Sequence, residues 1–285
     1  MKRLLPLLAA LLLLSGCKKD NIVILTPVHV SLGDFEVING DQTTAKDEPL
    51  ATYSGVKAVT LAFYSSTGVL AYSFTQLRAD STSYAAFGEF DLVLPMDSYT
   101  MEVFAYGSDY PLTLNGMTEA AYTVDKVRET FVATQAVNIA STSPVNINAT
   151  LNRVNSRLRV ESTDLQPVSI DSIRITFSAG GRNFNPLTGF ATVNNGLVNS
   201  VKAAAGDNIH TIANSYIFVN ASEQLMDITI DAIDTSSTIV FHKEIINVPL
   251  RRNTVTTLQG SMYSTSTASL FTLHTDYDSL IVINF

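Results

Sequence analysis

The stretch Val59-Thr60-Leu61-Ala62-Phe63-Tyr64-Ser65-Ser66-Thr67-Gly68-Val69-Leu70-Ala71-Tyr72-Ser73-Phe74 repeats with a period of two on both sides of a turn. Val59, Leu61 and Phe63 hold one set of positions and Thr60, Ala62 and Tyr64 the other; after the turn at 65–68, Leu70, Tyr72 and Phe74 resume the pattern. Successive side chains of a strand point to opposite faces, so this spacing predicts a hairpin with one buried face. The same period recurs outward along the chain. Phe90, Leu92 and Leu94 form one run, broken at Pro95-Met96-Asp97-Ser98 and followed by Tyr99, Met101, Val103 and Ala105. Later runs are Ile173-Ile175-Phe177, Leu197-Val198 beside Asn194-Asn195-Gly196, Ile228-Ile230-Ala232 and Ile239-Phe241. All are short and bounded by Gly, Pro, Asn, Asp or Ser, as in sandwiches and barrels. One segment departs from this: Ala120, Ala121, Val124 and Val127 have helical spacing, which predicts a helix over 117–130.

The fold class is therefore all-β, and the length of 285 residues suggests about two domains. Ser141-Thr142-Ser143-Pro144 breaks the pattern, and the apolar phase of Val145, Ile147, Ala149 and Leu151 shifts to Val154, Leu158 and Val160. A one-residue slip moves the apolar set to the other face, so the shift suits a passage from one sandwich to the next. The expected units are 25–147 and 148–285. Composition excludes several functions. With 18 Lys+Arg against 26 Asp+Glu and a net charge of −8 there is no basic reservoir for phosphates, which argues against nucleic-acid partners. A single Cys excludes an intramolecular disulfide framework and Cys-cluster metal sites.

That Cys follows an export signal. Met1-Lys2-Arg3 precedes an apolar run from Leu4 to Leu14 broken only by Pro6. The run is about half the roughly 20 residues that span a bilayer, so 1–16 reads as a signal peptide. Leu14-Ser15-Gly16-Cys17 resembles the bacterial lipobox. The resemblance implies diacylglycerol on the Cys17 thiol, palmitate-type acylation, and cleavage between Gly16 and Cys17. The mature chain would keep 269 residues, carry a charge of −10 and have no free thiol, with 17–24 as the lipidated Cys and a short tether. Two or three acyl chains, at about 0.8 kcal/mol per buried CH₂, hold a protein on a membrane that it does not span. Lys18-Lys19-Asp20 partly resembles the surface-export signal of Bacteroidota lipoproteins.

Three further segments resemble the Bacteroidota fimbrillins, subunits of type V pili. Leu94-Pro95-Met96-Asp97-Ser98-Tyr99-Thr100-Met101 is similar to their LP-x-G-x-Y turn and strand, and Thr150-Leu151-Asn152-Arg153-Val154 to the L-x-R strand that opens their second domain. The segment from Val248 to Gly260, with Pro249, Arg252, Asn253, Thr256 and Gly260, resembles their vPl-x-RN-x-x-T-x-l-x-G motif. The resemblance implies two tandem β-sandwich (transthyretin-like) domains in an outer-membrane lipoprotein of a cell-surface fimbrium. Pilus subunits or other surface proteins would be its partners, and it would serve as a subunit or as an anchor or accessory protein in adhesion. On the residues alone, Pro249 suits a strand start or edge. Asn253 suits a polar bend in which it bonds nearby backbone.

Two departures bear on the role. Polymerising subunits of that family are cut after an Arg in the first domain, yet no Arg lies between Cys17 and Arg78. Lys46, in an expected loop, is the alternative processing position, and Asp97 replaces the expected Gly. Both favour an anchor or accessory protein over a stalk subunit. The apolar segment Leu280, Ile281, Val282, Ile283 and Phe285 is either a donor strand for a neighbour or the completion of its own sandwich.

No enzyme is expected. The four histidines are scattered, and no HExxH, GxSxG or phosphate-binding Gly loop occurs. Neither a cofactor nor a metal is expected. Asp227, Asp231 and Asp234 read as a solvated strand face, with calcium the sharper alternative. Asp80-Ser81-Thr82, Asp171-Ser172-Ile173 and Asp278-Ser279-Leu280 resemble the Bacteroidota O-glycosylation sequon. The rival function is a surface glycan-binding lipoprotein of a nutrient-uptake system, with Tyr taking the stacking role because Trp is absent.

Overall fold

Strands supply all the helical or extended regular structure among the described residues, 23–33, 35–37, 46–204, 209–263 and 271–276 of a computed structural model. The first are Leu25–Leu32 (β1), Phe35–Val37 (β2), Lys46–Glu48 (β3), Ala58–Ser65 (β4), Leu70–Leu77 (β5), Glu89–Pro95 (β6) and Ser98–Tyr106 (β7). Short Thr113–Leu114 (β8) and Ala120–Ala121 (β9) precede Thr130–Asn138 (β10), Val145–Ala149 (β11) and Asn152–Arg153 (β12). The second half adds Ser156–Leu165 (β13), Ile170–Phe177 (β14), Asn183–Phe184 (β15), Leu197–Lys202 (β16) and His210–Ile217 (β17). It closes with Glu223–Asp234 (β18), Ile239–Arg251 (β19), Val255–Gly260 (β20) and Phe271–Asp276 (β21).

The strand order β11-β1-β6 forms one sheet and β12-β10-β7-β4-β5 another. Between them lie Val28, Val30, Leu61, Phe63, Phe90, Leu92, Met101, Val103 and Phe131, all buried. Two four-stranded sheets, β17-β13-β20-β21 and β16-β14-β18-β19, enclose Leu158, Val160, Ile173, Ile175, Ile228, Ile230 and Leu258. This is the sandwich architecture: each strand turns its apolar set inward, because burial is worth about 25 cal/mol per Å² of apolar surface. Burial follows the phase shift read from the sequence. Ile147, Ala149 and Leu151 belong to the first core, and Val154, Leu158 and Val160 to the second.

The second core also takes side chains from the first half. Ala58, Phe104, Tyr106 and Val132, on the outer face of the five-stranded sheet, join it. Phe104 meets Phe184 edge-on at 6.1 Å, and Phe184 stacks on Phe218 at 4.2 Å. β4 is consequently buried on both faces, where the alternation predicted one. Thr60 is bonded rather than solvated: its hydroxyl lies 2.8 Å from that of Thr75 and 2.9 Å from that of Tyr106. The hairpin itself forms as read, with Tyr64 opposite Leu70 and Gly68 at φ 77° in the turn.

Residues 117–130 do not form the expected helix. β9 lies between β8 and β15, with Ala121 opposite both Thr113 and Asn183. The supposed helical face is not kept together, since Val124 is 69% exposed while Ala120 and Val127 are buried. Tertiary pairing of a two-residue strand overrides the spacing. Asp231 corrects the reading of a solvated carboxylate face: it is 3% exposed and takes two bonds from Arg174, at 2.9 and 2.7 Å, and one from His242 at 2.6 Å.

Candidate functional site

The segments that carried the family resemblance fall at three places. The turn at 95–98 joins β6 to β7, so it crosses from one sheet to the other. Asp97 does not adopt a positive φ, which removes the need for glycine. Its carbonyl accepts the Ile139 N–H at 2.9 Å, its side chain accepts the Ser98 N–H at 2.7 Å, and Tyr99 donates its hydroxyl to the Pro95 carbonyl at 3.0 Å.

The other two segments meet in a cleft of about 700 Å³ between the halves. Thr150, Asn152, Arg153 and Val154 line one side, Arg252 and Asn253 another, and Pro186 to Gly189 and part of β10 the rest. Arg153 reaches inward. It is buried and bonds Glu129, whose other oxygen accepts the Tyr53 hydroxyl, and its guanidinium lies 5.3 Å from the Phe131 ring centre. Burial, and then the Glu129 charge, push the Tyr53 pKa up. A buried pair of this kind is more an anchor than a source of net stability, because desolvation offsets much of its attraction.

Arg252 reaches outward. Its backbone N–H bonds the Ser222 carbonyl at 3.2 Å, and its guanidinium bonds the Thr188 carbonyl and lies 4.8 Å from the Phe190 ring centre. Gly189, at φ 73°, permits this: a Cβ there would stand 3.0 Å from both Arg252 Nη1 and Val154 Cγ1. Asn253 makes the bend through its backbone, at φ 59° with its N–H on the Asn155 carbonyl at 3.0 Å. The polar bend thus bonds nearby backbone through the Asn253 main chain, while its buried Oδ1 has no partner among the described residues. Pro249 sits opposite Leu225 on β19, an edge strand, and its carbonyl accepts the Thr256 hydroxyl at 3.0 Å. Gly260 ends β20 between Ser162 and Phe271.

The remaining sites of the sequence reading are less informative structurally. Lys46, expected in a loop, opens β3 opposite Val37. Gly16, Cys17, Leu280, Ile281, Val282, Ile283 and Phe285 lie outside the described residues. The three Asp candidates for calcium are otherwise engaged: besides Asp231, Asp227 accepts the Asn247 N–H at 2.9 Å and Asp234 those of Ser236 and Thr238. Among the described residues no Tyr lines the cleft or a second cavity of about 520 Å³ beside Phe177 and Arg182.

One feature had no sequence signal beyond its residue type. Glu102 is fully buried on β7, its carboxylate oxygens have no hydrogen-bond partner among the described residues, and burial raises its pKa to about 8. Tyr64, on the neighbouring strand, is pushed up to about 12 by burial and by Glu102.

A family model covers residues 112–283, which include the whole second core's sheets and the cleft motifs. The chain belongs to the family of unknown function DUF6562. No curated protein matches this DUF6562 chain. Solved structures do. A candidate polysaccharide-binding protein from Bacteroides thetaiotaomicron is similar at a TM-score of 0.56 and 12% identity, over 90% of this chain and 98% of that one. The fimbrial anchor protein Mfa2 from Porphyromonas gingivalis is similar at 0.52 and 12%, over 90% and 99%. A candidate cell adhesion protein from Bacteroides eggerthii is similar at 0.53 and 10%, over 92% and 95%. At these identities the likeness is one of fold.

Proposed function

We propose that this DUF6562 protein is a lipid-anchored surface protein of the fimbrial and adhesion type, an anchor or accessory subunit held to the outer membrane through Cys17. The observation that carries the reading is a fold shared with a fimbrial anchor protein over nine-tenths of the chain, placed behind a lipobox-like Leu14-Ser15-Gly16-Cys17. The units are taken as 25–147 and 148–285. The segment from Leu280 to Phe285 acts in this reading as a donor strand, with main-chain bonds supplying affinity and alternate side chains specificity. The similar structures bear adhesion, fimbrial and polysaccharide-binding names, which supports a binding rather than a catalytic role.

Two measurements test this. Mass spectrometry of the N-terminal peptide should show acylated Cys17, and Cys17→Ala should leave the protein unanchored. Affinity capture from outer membranes should recover a pilus-type subunit, and deletion of 279–285 should abolish that capture while the protein stays folded. Capture unchanged by the deletion would refute strand donation. The second reading, glycan capture, draws on the likeness to the candidate polysaccharide-binding protein, and a glycan array decides between them.

A further inference from the structure

β10 has an open edge in the cleft. It pairs with β7 along its whole length, from Thr130 opposite Tyr106 to Asn138 opposite Ser98, but with β12 only at Phe131 and Val132. The Val154 N–H donates to the Thr130 carbonyl at 3.0 Å, so Thr130 faces the β12 side. Backbone groups alternate sides along a strand, and Val132, Thr134 and Ala136 therefore face the same way. Beyond Val132 no described strand pairs there, and Thr134, Gln135 and Ala136 are all exposed.

The open edge runs through a shaped groove. Pro186, Leu187, Asn148 and Thr150 line it beside Val132 to Gln135, and the Thr134 hydroxyl bonds the Pro186 carbonyl at 3.3 Å. Arg252 lies at the same cleft with no carboxylate bonded to it among the described residues, its guanidinium fixed by Thr188 and Phe190. Another uncharged edge, β5, is partly covered. Gln76 bonds the Gly88 N–H and the Glu89 carbonyl, each at 2.7 Å, and Phe74 meets Phe90 edge-on.

We propose that the β10 edge at Thr134 and Ala136 accepts an added strand from a second copy of this chain, residues 276–285, with an acidic side chain of that segment paired to Arg252. The inference rests on the strand-donation reading above and adds the acceptor. Charge and length argue for this occupant. Asp276 and Asp278 precede the apolar run from Leu280 to Ile283. Seven residues beyond Asp278 extend about 23 Å, against about 14 Å for the four steps from Thr134 to Asn138. Alternate apolar side chains would then meet Pro186 and Leu187.

The test is fluorescence polarisation with a labelled peptide of residues 276–285 titrated into the mature chain. Ala136→Pro removes one outward N–H and no ladder bond of β10, so it should keep the melting temperature and abolish binding. Arg252→Gln should weaken binding on the order of tenfold, and a peptide with both Asp replaced by Asn should lose a similar factor. No binding to the mature chain, or equal binding by the wild-type protein and both variants, would overturn the acceptor assignment. Either result leaves strand donation standing if the 279–285 deletion still abolishes capture of a pilus subunit; a deletion without effect sinks donation itself.

Discussion

β10 and β19 are both edge strands over part of their length, and they are treated in opposite ways. β19 carries Pro249, the charged residues Lys243, Glu244 and Arg251, and a left-handed Asn247 at φ 56°. Its register against β18 slips twice, between Met226 and Ile228 and between Ala232 and Ile233. β10 is Thr-Phe-Val-Ala-Thr-Gln-Ala-Val-Asn, with no charge, no proline and no slip against β7. Unpaired edges invite pairing with other chains, and proteins blunt them with charge, proline and bulges. The contrast therefore marks β19 as guarded and β10 as left available.

Substitutions can break this contrast in order of effect. Arg153→Ala removes the side chain that ties β12, the short cover of β10, to Glu129; it should destabilise the protein by about 3–5 kcal/mol in urea unfolding, because Glu129 keeps the Tyr53 hydroxyl but is left buried without its countercharge. Glu102→Gln addresses the middle of the same sheet. The Glu102 pKa stands at about 8 in the folded protein against an ordinary 4.5, so ionisation in the unfolded chain weakens folding progressively as pH rises between those values. The variant should gain about 4 kcal/mol at pH 8 and about 1 kcal/mol at pH 5, and an equal gain at both would refute the burial of an unpaired carboxyl. Asp97→Gly should cost about 0.5–1 kcal/mol, since Asp97 needs no left-handed backbone and glycine only adds unfolded-state entropy. Smallest is the effect on stability of replacing Lys243, Glu244 and Pro249 by Thr, Thr and Val. Folding should change by about 0.5 kcal/mol or less per exposed charge, while light scattering at high concentration should show new self-association through β19.

The strands were legible where a single face is buried. β6 and β13 alternate in sequence and in burial alike. β4 was half legible: its period was clear, but its Ala58 joins a second core whose Phe184 and Phe218 lie more than 100 residues away in the sequence. The supposed helix failed because Ala120 and Ala121 are small enough to suit either structure, and pairing with Asn183 and Phe184 decided between them. The cleft had only a partial signal. Arg153 and Arg252-Asn253 were marked by the motif resemblance alone, and their meeting depends on Gly189 allowing close approach. The open edge had none, since it is a property of which strand stops short, β12 after two residues.

Amide hydrogen exchange of the mature chain, with and without the 276–285 peptide, tests the contrast between the edges most directly. The Thr134 and Ala136 amides should exchange fast in the free protein and slow markedly with peptide, while outward-facing amides of β19 stay unchanged. Thr134 and Ala136 already protected in the free protein, or protection appearing along β19 instead, would contradict an open β10 edge.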